Sequence, residues 1–322
     1  MKEFIVIKND AGQRLDRFTA KTVPLLPSSL TQKYIRIKRI KVNGKTAKRD
    51  YKLVAGDVVQ MYINDEFFES PKEDNAYLKV SNPALDIIYN DDNILLINKP
   101  AGDLCHSDSG YSYATIISRL QAYLYISGEW RPREENSFTP ALCNRIDRNT
   151  SGIVIAAKNA ESLRIINEKL RLQEIGRYYQ TIVHGIPKPP DARLEGHIFK
   201  DAVKNRVYVT KNSQPGAKSA VMEYQTIATA NKLSLLKCRL FTGRTHQIRA
   251  QLADIGHPVL GDSKYGSGRL DRVFGEAKQA LCSYKVIFDF KTEASSLSYL
   301  TGQIFRLHTI PFVEKYFPDA GI

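Results

Sequence analysis

The hydrophobic and polar positions divide the chain into two regions with different patterns. Near the start, apolar side chains recur at helical spacing in RLDRFTAKTV and SSLTQKYIRIK, with the breaker LLPSS between these two segments. IKVNGKTA then alternates around Asn43-Gly44, a dipeptide typical of a two-residue hairpin turn, and LVAGDVVQMYI adds a strand. This pattern predicts a small α+β unit over residues 1–63.

From about residue 84 the pattern is that of a larger sheet. Two apolar runs in LDIIYNDDNILLINKP flank a polar turn and predict a hairpin that ends at Lys99-Pro100. Further strands are predicted at residues 152–158, 178–185, 206–210, 220–228 and 233–241, and helices at 160–173 and 245–256. Strands joined mainly by short turns predict an α+β fold, with a mixed, mostly antiparallel sheet and flanking helices.

The segment between these regions, NDEFFESPKEDNAYLKVSNP, is acidic and polar, contains two prolines and has little periodicity. Such composition is typical of a linker. We therefore predict three parts: a small α+β N-terminal domain over 1–63, a linker over 64–83, and a larger domain over 84–322.

Positive charge is concentrated in the N-terminal domain. The whole chain carries 47 Lys and Arg against 34 Asp and Glu, a net charge of +13, and residues 1–63 hold 14 of these basic residues against 5 acidic ones. The interval 33–49 has eight basic residues and no acidic one: Lys33, Arg36, Lys38, Arg39, Lys41, Lys45, Lys48 and Arg49. A solvated surface is the alternative, but clustering on one helix and one hairpin favours phosphate binding.

The order GQRLDRF, basic helix, VNGK and LVAGD resembles the alpha-L RNA-binding domain of a small-subunit ribosomal protein and of several RNA-modifying enzymes. The resemblance covers about residues 12–62. It implies binding to structured RNA and carries no information about chemistry.

The first candidate for chemistry is the segment NRIDRNTSGIVIAAK. Asp147 lies between Arg145 and Arg148, directly before turn residues and an apolar strand. A loop at the mouth of a strand holds a catalytic group rigidly. The alternative is that Asp147 only pairs with an arginine or caps the turn.

A second candidate is LFTGRTHQIRAQL, where Arg244, His246 and Arg249 lead into a predicted helix. A helix N-terminus with arginines can hold a phosphate or a carboxylate. A structural role is the stronger interpretation for His246, and a surface ion pair is the alternative for Arg249.

The third candidate is GRYYQTIVHG, which begins an apolar strand with Tyr178 and Tyr179. Alternation sends the two rings to opposite faces of the sheet, so only one of them can face a given cleft. That ring is either a core aromatic or a platform for an RNA base.

Together the three segments resemble the RluA family of pseudouridine synthases, whose signature is close to HRLDRxTSG, KxY and TGRTHQIRxHL followed by GxPIxGDxxYG. The matching stretches are NRIDRNTSG, RYYQTIVHG, TGRTHQIRAQL and GHPVLGDSKYG, with INKPAGDLCH before them. The resemblance implies Asp147 as the catalytic carboxylate, Arg249 as its basic partner and Tyr179 as the ring beside the uracil. It also implies that Arg145 fills the gap left by the flipped base.

Two positions depart from the family signature. Asn144 replaces a histidine that often opens the first motif, and Gln251 replaces the later histidine of the third. Neither is the carboxylate or its arginine, so the expected activity stands, with altered local hydrogen bonding.

The implied reaction is isomerisation of uridine to pseudouridine, which needs no cofactor and no metal. The chain has no P-loop, Rossmann glycine signature or CxxC pair, and its four cysteines are widely spaced. With no apolar signal segment, we expect a cytoplasmic enzyme with an RNA partner, no membrane and no evident obligate protein partner. Large-subunit ribosomal RNA is the expected substrate; the alternatives are transfer RNA, a non-catalytic RNA-binding or assembly protein, or another RNA modifier such as a methyltransferase.

Overall fold

A computed structural model describes residues 1–69, 76–107, 114–201, 206–266, 268–274 and 278–320. The N-terminal part contains six elements: β1 (Lys2–Ile5), α1 (Leu15–Thr22), α2 (Ser28–Arg36), β2 (Ile40–Val42), β3 (Lys45–Thr46) and β4 (Val58–Met61). The strands form one sheet in the order β1-β4-β2-β3. The two predicted helices and the Asn43-Gly44 hairpin are confirmed.

The N-terminal sheet and its helices enclose a core of their own. Leu15 and Phe18 of α1 are fully buried against Ile40 and Met61 of the sheet. The apolar positions of α1 recur at a spacing of three, which puts them on the one face that meets the sheet.

The remainder is built on a large sheet with helices packed against it. Its elements are β5 (Ile87–Asn90), β6 (Ile94–Lys99), α3 (Ile116–Ile126), β7 (Ala141–Leu142), β8 (Ser151–Ala157), α4 (Ala160–Arg171), β9 (Ile175–His184), β10 (Asp191–Asp201), β11 (Arg206–Thr210), β12 (Lys218–Ala230), β13 (Leu233–Leu240), α5 (Gln247–Asp254), α6 (Gly268–Val273), β14 (Leu281–Phe288), β15 (Ile304–Arg306) and α7 (Pro311–Tyr316).

These strands pair in the order β11-β10-β12-β13-β9-β14-β8-β6-β5, with β15 beside β14 and β7 beside β8. The contact between β14 and β8 is parallel, and the other pairs among the described residues are antiparallel. The predicted α+β fold with a mixed, mostly antiparallel sheet is confirmed. Each strand predicted in this region is present.

One predicted helix differs at its start. The spacing placed a helix over 245–256, but α5 begins at Gln247, because His246 has a left-handed backbone with φ of 52°. Thr245 is therefore outside the helix. The strands β10 and β14 and the helix α3 were not predicted.

The predicted linker is ordered at both ends. Asp65–Phe68 forms a 3₁₀ turn, and Phe67 and Phe68 pack on the N-terminal core. At the other end, the ring of Tyr77 lies 5.2 Å from that of Trp130 in the larger domain. Residues 70–75 between them lie outside the described part.

Polar contacts join the N-terminal unit to the segment before β7. Asp10 is fully buried, and its carboxylate accepts hydrogen bonds from Ser137 Oγ at 2.5 Å and Asn136 Nδ2 at 2.7 Å. Asn9 Nδ2 donates to Glu135 Oε1 at 2.6 Å. These contacts fix the orientation of the N-terminal unit against the larger domain. Over the described ranges, no helix is both long and apolar enough to cross a membrane.

Candidate active site

Asp147 lies in the loop that enters β8, and hydrogen bonds hold this loop on both sides. Asn144 Oδ1 accepts from Ile155 N at 2.8 Å, so the asparagine that departs from the family signature ties the loop to β8. Thr150 N donates to the Asp147 carbonyl at 3.1 Å. At Gly152, with φ of +109°, a Cβ would lie 2.2 Å from the carbonyl oxygen of Ser283 in β14, so only glycine lets the strands approach this closely.

The ammonium group of a buried lysine also holds this loop. Lys99 is fully buried, and its Nζ donates to the carbonyl oxygens of Pro100, Asp103 and Arg148 at 2.8 to 2.9 Å. Burial lowers the pKa of Lys99 to about 8. Because one acceptor comes directly after Asp147, this ammonium joins the INKPAG segment to the loop of the carboxylate. No role was predicted for Lys99 from the sequence.

Arg249 of α5 lies between two carboxylates. Its Nη1 is 2.8 Å from Asp147 Oδ2, while Nε and Nη2 bind the two oxygens of Asp262 at 2.7 and 2.8 Å. Burial opposes the charge, but the hydrogen bonds and charges of Asp262 and Asp147 raise the pKa of the guanidinium. The arginine therefore stays charged, and its planar donor groups fix the position of Asp147.

Asp262 is the residue of this group that sequence reasoning missed. Its side chain is inaccessible to solvent. Oδ1 also accepts from the backbone N–H groups of Lys264 and Tyr265 at 2.9 and 3.1 Å. Burial opposes ionisation, but the hydrogen bond and charge of Arg249 lower the pKa of Asp262. The only indication in the sequence that Asp262 belongs to the site was its position in GHPVLGDSKYG, which matches the family signature.

His246 borders the same site and is held by a tyrosine. Its Nδ1 lies 2.9 Å from Tyr265 Oη, which also accepts from Val207 N at 2.9 Å. Its Nε2 lies 4.0 Å from Asp147 Oδ2. Burial lowers the pKa of His246, and Arg249 lowers it further against the effect of Asp147.

The two tyrosines of β9 face opposite sides of the sheet, as their alternation predicts. Tyr179 packs in the core beneath α5 with only 5% of its surface exposed. It shares this core cluster with Ile146 and Ile248, the chain neighbours of Asp147 and Arg249, and burial raises the pKa of its phenol. Tyr178 is half-buried on the other face.

Arg145 is exposed beside the site, where its charge lowers the pKa of the half-buried His106 after the larger effect of burial. Asp147 itself is 25% exposed, so the carboxylate can be reached from solvent while its partners are buried. The structure thus brings Asp147, Arg249 and Tyr179 together, with Arg145 at the edge. The site thus has a solvent-accessible carboxylate in a rigidly held loop, with a permanent cation and an aromatic ring nearby. This arrangement suits a reaction on a planar heterocycle.

The eight basic residues of the interval 33–49 lie apart from this group, on the N-terminal unit. Lys41 is half-buried with its ammonium 5.4 Å from the Tyr62 ring, and the other seven are exposed. None of the eight forms an ion pair with a carboxylate of the described residues. Their charges are therefore available to a ligand.

Gln251, the second departure from the family signature, points away from Asp147. Its Nε2 donates to the carbonyl oxygens of Leu194 and Ala220 at 3.3 and 3.4 Å, which attaches α5 to the neighbouring strands β10 and β12. Its role is to position the helix that carries Arg249.

Comparison with known proteins identifies the family. The model of the RNA pseudouridylate synthase family matches residues 93–254, which include Asp147, Tyr179 and Arg249. The chain belongs to the RNA pseudouridylate synthase family. Such an enzyme is an isomerase that converts uridine in RNA to pseudouridine.

Named relatives of this family match most of the chain. Ribosomal large subunit pseudouridine synthase C of Escherichia coli (strain K12) is 32% identical over 87% of this chain and 85% of its own length. The protein of the same name from Salmonella typhimurium is 31% identical over 95% of this chain and 92% of its own.

Solved structures share the fold over about 70% of the chain. Human RNA Pseudouridylate Synthase Domain Containing 4 aligns with a TM-score of 0.54 at 20% identity, covering 70% of this chain and 89% of that one. Human RNA Pseudouridylate Synthase Domain Containing 1 aligns with a TM-score of 0.52 at 18% identity, covering 72% and 94%.

Proposed function

We propose that this protein isomerises specific uridines of large-subunit ribosomal RNA to pseudouridine, with Asp147 as the catalytic carboxylate. The observation that carries the proposal is the hydrogen-bonded series Asp147, Arg249 and Asp262, in which the first carboxylate alone is open to solvent. The names of the relatives support large-subunit ribosomal RNA as the substrate. We further propose that the enzyme acts in the cytoplasm.

The reaction breaks the bond from the ribose to N1 of uracil, turns the base over and joins C5 to the ribose. C5 loses its hydrogen to solvent as a proton, N1 gains a proton in exchange, and the oxidation state does not change. Asp147 serves as the anion in this sequence: it attacks C6 of the uracil, attacks the anomeric carbon, or removes a ribose proton. In each route Oδ1 can act, because Oδ2 is bound by Arg249.

Arg249 and Tyr179 prepare the site before the base arrives. The guanidinium is bound to Asp262 at two atoms and so holds Asp147 without reorganisation during the reaction. Flipping a base costs a few kcal/mol, which aromatic contact offsets. Tyr179 supplies the ring next to the carboxylate, and exposed Arg145 is positioned to fill the gap in the RNA.

The N-terminal unit is proposed to bind the structured RNA around the target. Its support is the set of eight cations without carboxylate partners among the described residues. We propose the boundaries 1–63 for this domain, 64–83 for the linker and 84–322 for the catalytic domain. The separate core of the N-terminal unit supports the first boundary.

Release of tritium from C5 of labelled uridine tests the reaction. The native protein, Asp147→Asn and the control Asp289→Asn, an exposed acid paired with Lys291, are each incubated with labelled ribosomal and transfer RNA. We expect release from large-subunit ribosomal RNA by the native protein and the control, and none by Asp147→Asn. Equal release by all three would show that Asp147 is not the catalyst.

The same assay separates the alternatives. If tritium is released from transfer RNA alone, the substrate is transfer RNA and not ribosomal RNA. Tight binding of every RNA without release by the native protein would favour the non-catalytic RNA-binding function.

A further inference from the structure

A row of polar side chains crosses six strands on the face of the large sheet opposite Tyr179. Cross-strand register places each member directly beside the next, so all of them project from one face. In order from β10 to β15 the row consists of Arg193, Glu223, Arg239, Tyr178, Lys285 and Arg306.

Cations surround the aromatic ring at the centre of this row. Lys285 Nζ lies 4.5 Å from the centroid of the Tyr178 ring, and Lys237 Nζ and the Arg239 guanidinium lie 5.7 and 5.8 Å from it. Phe241, two residues beyond Arg239, has that guanidinium at 4.7 Å from its own centroid. The surface therefore alternates rings and positive charges.

The charges of this surface are poorly balanced by the protein. It holds five cations, and three carboxylates lie beside them, those of Asp191, Glu195 and Glu223. Of the five, Arg193 is paired, with Glu223 at 3.0 Å and Glu195 at 2.5 Å. The remaining four have no carboxylate partner in the part of the chain that the structure describes.

Two depressions lie along the row. One of about 540 Å³ is lined by Tyr178, Lys237 and Arg239, and the other, of about 510 Å³, by Lys285 and Arg306. Burial lowers the pKa of Lys285, and the nearby charges of Lys237 and Arg306 lower it further. An anion bound here would relieve this repulsion.

We propose that this surface, the Tyr178 face, binds a single-stranded segment of the RNA substrate that flanks the target. Sheets that bind single-stranded RNA combine cations for the backbone phosphates with aromatic rings on which bases stack. The Tyr178 face has both, arranged in one row. It lies across the sheet from Asp147, so the segment bound there is not the one being isomerised. The inference rests on RNA being the substrate.

Lysine footprinting of the full chain tests where the RNA lies. The protein is acetylated with and without a transcript of large-subunit ribosomal RNA, and modification is read by mass spectrometry. We expect the transcript to slow acetylation of Lys237 and Lys285 several-fold and to leave exposed Lys188 and Lys291 unchanged. Equal rates at Lys237 and Lys285 with and without the transcript would overturn the proposal.

A matched pair of double variants tests the charges. Arg239→Gln with Lys285→Gln removes two cations from the Tyr178 face, whereas Arg171→Gln with Lys291→Gln removes two exposed cations that already have carboxylate partners. For single strands each phosphate contact contributes about 0.7 to the slope of log affinity against log salt, so the first variant should lose about 1.4 of slope. The control should lose none, and equal slopes for both variants would contradict the proposal.

The ring is tested by Tyr178→Leu against Tyr178→Phe. A lost base stack corresponds to a drop in RNA affinity of roughly 5- to 150-fold, which the phenylalanine variant should avoid. Because Tyr178 is half-buried, the glutamine variants decide the outcome if the leucine variant unfolds.

Two further outcomes are distinguishable. Protection of Lys237 and Lys285 by polyglutamate but not by RNA would overturn the proposal and indicate an acidic protein partner. If RNA protects these lysines but the protein releases no tritium, the proposed isomerase function is wrong. The proposal that the Tyr178 face binds RNA would still stand, because footprinting does not depend on catalysis.

Discussion

Asp262 holds Arg249 in position, and the substitution Asp262→Asn tests how far the active site depends on this contact. The asparagine keeps the shape of the side chain but removes its charge. Arg249 then loses two hydrogen bonds to a carboxylate, of 2.7 and 2.8 Å, and keeps the one to Asp147.

The expected loss of stability follows from the burial of the pair. Removing one partner of a buried ion pair costs about 3–5 kcal/mol. Arg249 retains Asp147, which is partly open to water, so the lower end applies and we expect about 3 kcal/mol of unfolding free energy to be lost. A shift of a catalytic group by about 1 Å reduces rates by about 100-fold, and we expect kcat to fall by this order while RNA affinity is kept.

The assay compares urea unfolding with tritium release for the native protein, Asp262→Asn and Asp271→Asn. Asp271 is a matched control: it is also buried, and it binds His184 Nε2 at 2.7 Å and Gly261 N at 2.9 Å without touching Arg249. The control should lose stability but retain kcat under conditions where it stays folded. Equal loss of kcat in both variants, or native stability and kcat in Asp262→Asn, would refute the argument.

Three other changes are predicted. Lys99→Met removes three hydrogen bonds that hold the Asp147 loop, so kcat in tritium release should fall at least about tenfold with unchanged RNA binding by filter assay. Folding lowers the pKa of His246 from 6.5, so the unfolded chain binds more protons and the protein loses stability as pH falls below this value. In urea titrations between about pH 7 and pH 5, His246→Gln should therefore lose less stability than the native protein. Asp10→Ala removes the hydrogen bonds that Asn136 and Ser137 donate to this carboxylate, worth about 1 kcal/mol each, and limited proteolysis between residues 64 and 83 should become faster than in the native protein.

Strands with clear contrast between apolar and polar positions were predictable. The strand at 206–210 was predicted with the bounds it has, and the opposite directions of Tyr178 and Tyr179 followed from period-two alternation. β10 was missed because its first half alternates only between exposed and half-buried positions. β14 was missed because a register shift after Ser283 interrupts its alternation.

The active site was predictable only through family resemblance. Asp147 and Arg249 are 102 positions apart, and nothing in local periodicity brings them within 2.8 Å. Asp262 and Lys99 went unrecognised because their importance arises from burial, and short polar loops do not reveal which of their charges will be buried. The predicted start of α5 was wrong because the left-handed backbone of His246 does not change the spacing of the apolar residues in the sequence.

The attachment of the N-terminal unit through Asp10 has a consequence for target choice. With the carboxylate of Asp10 bound by Asn136 and Ser137, the basic interval 33–49 and Asp147 are kept at a constant separation. An RNA bound at both the basic interval and the active site must present its uridine at that distance from the helical or looped element that the basic interval contacts. Under the proposed RNA binding, two uridines in identical local sequence would be distinguished by their distance from the folded RNA element that the basic interval binds.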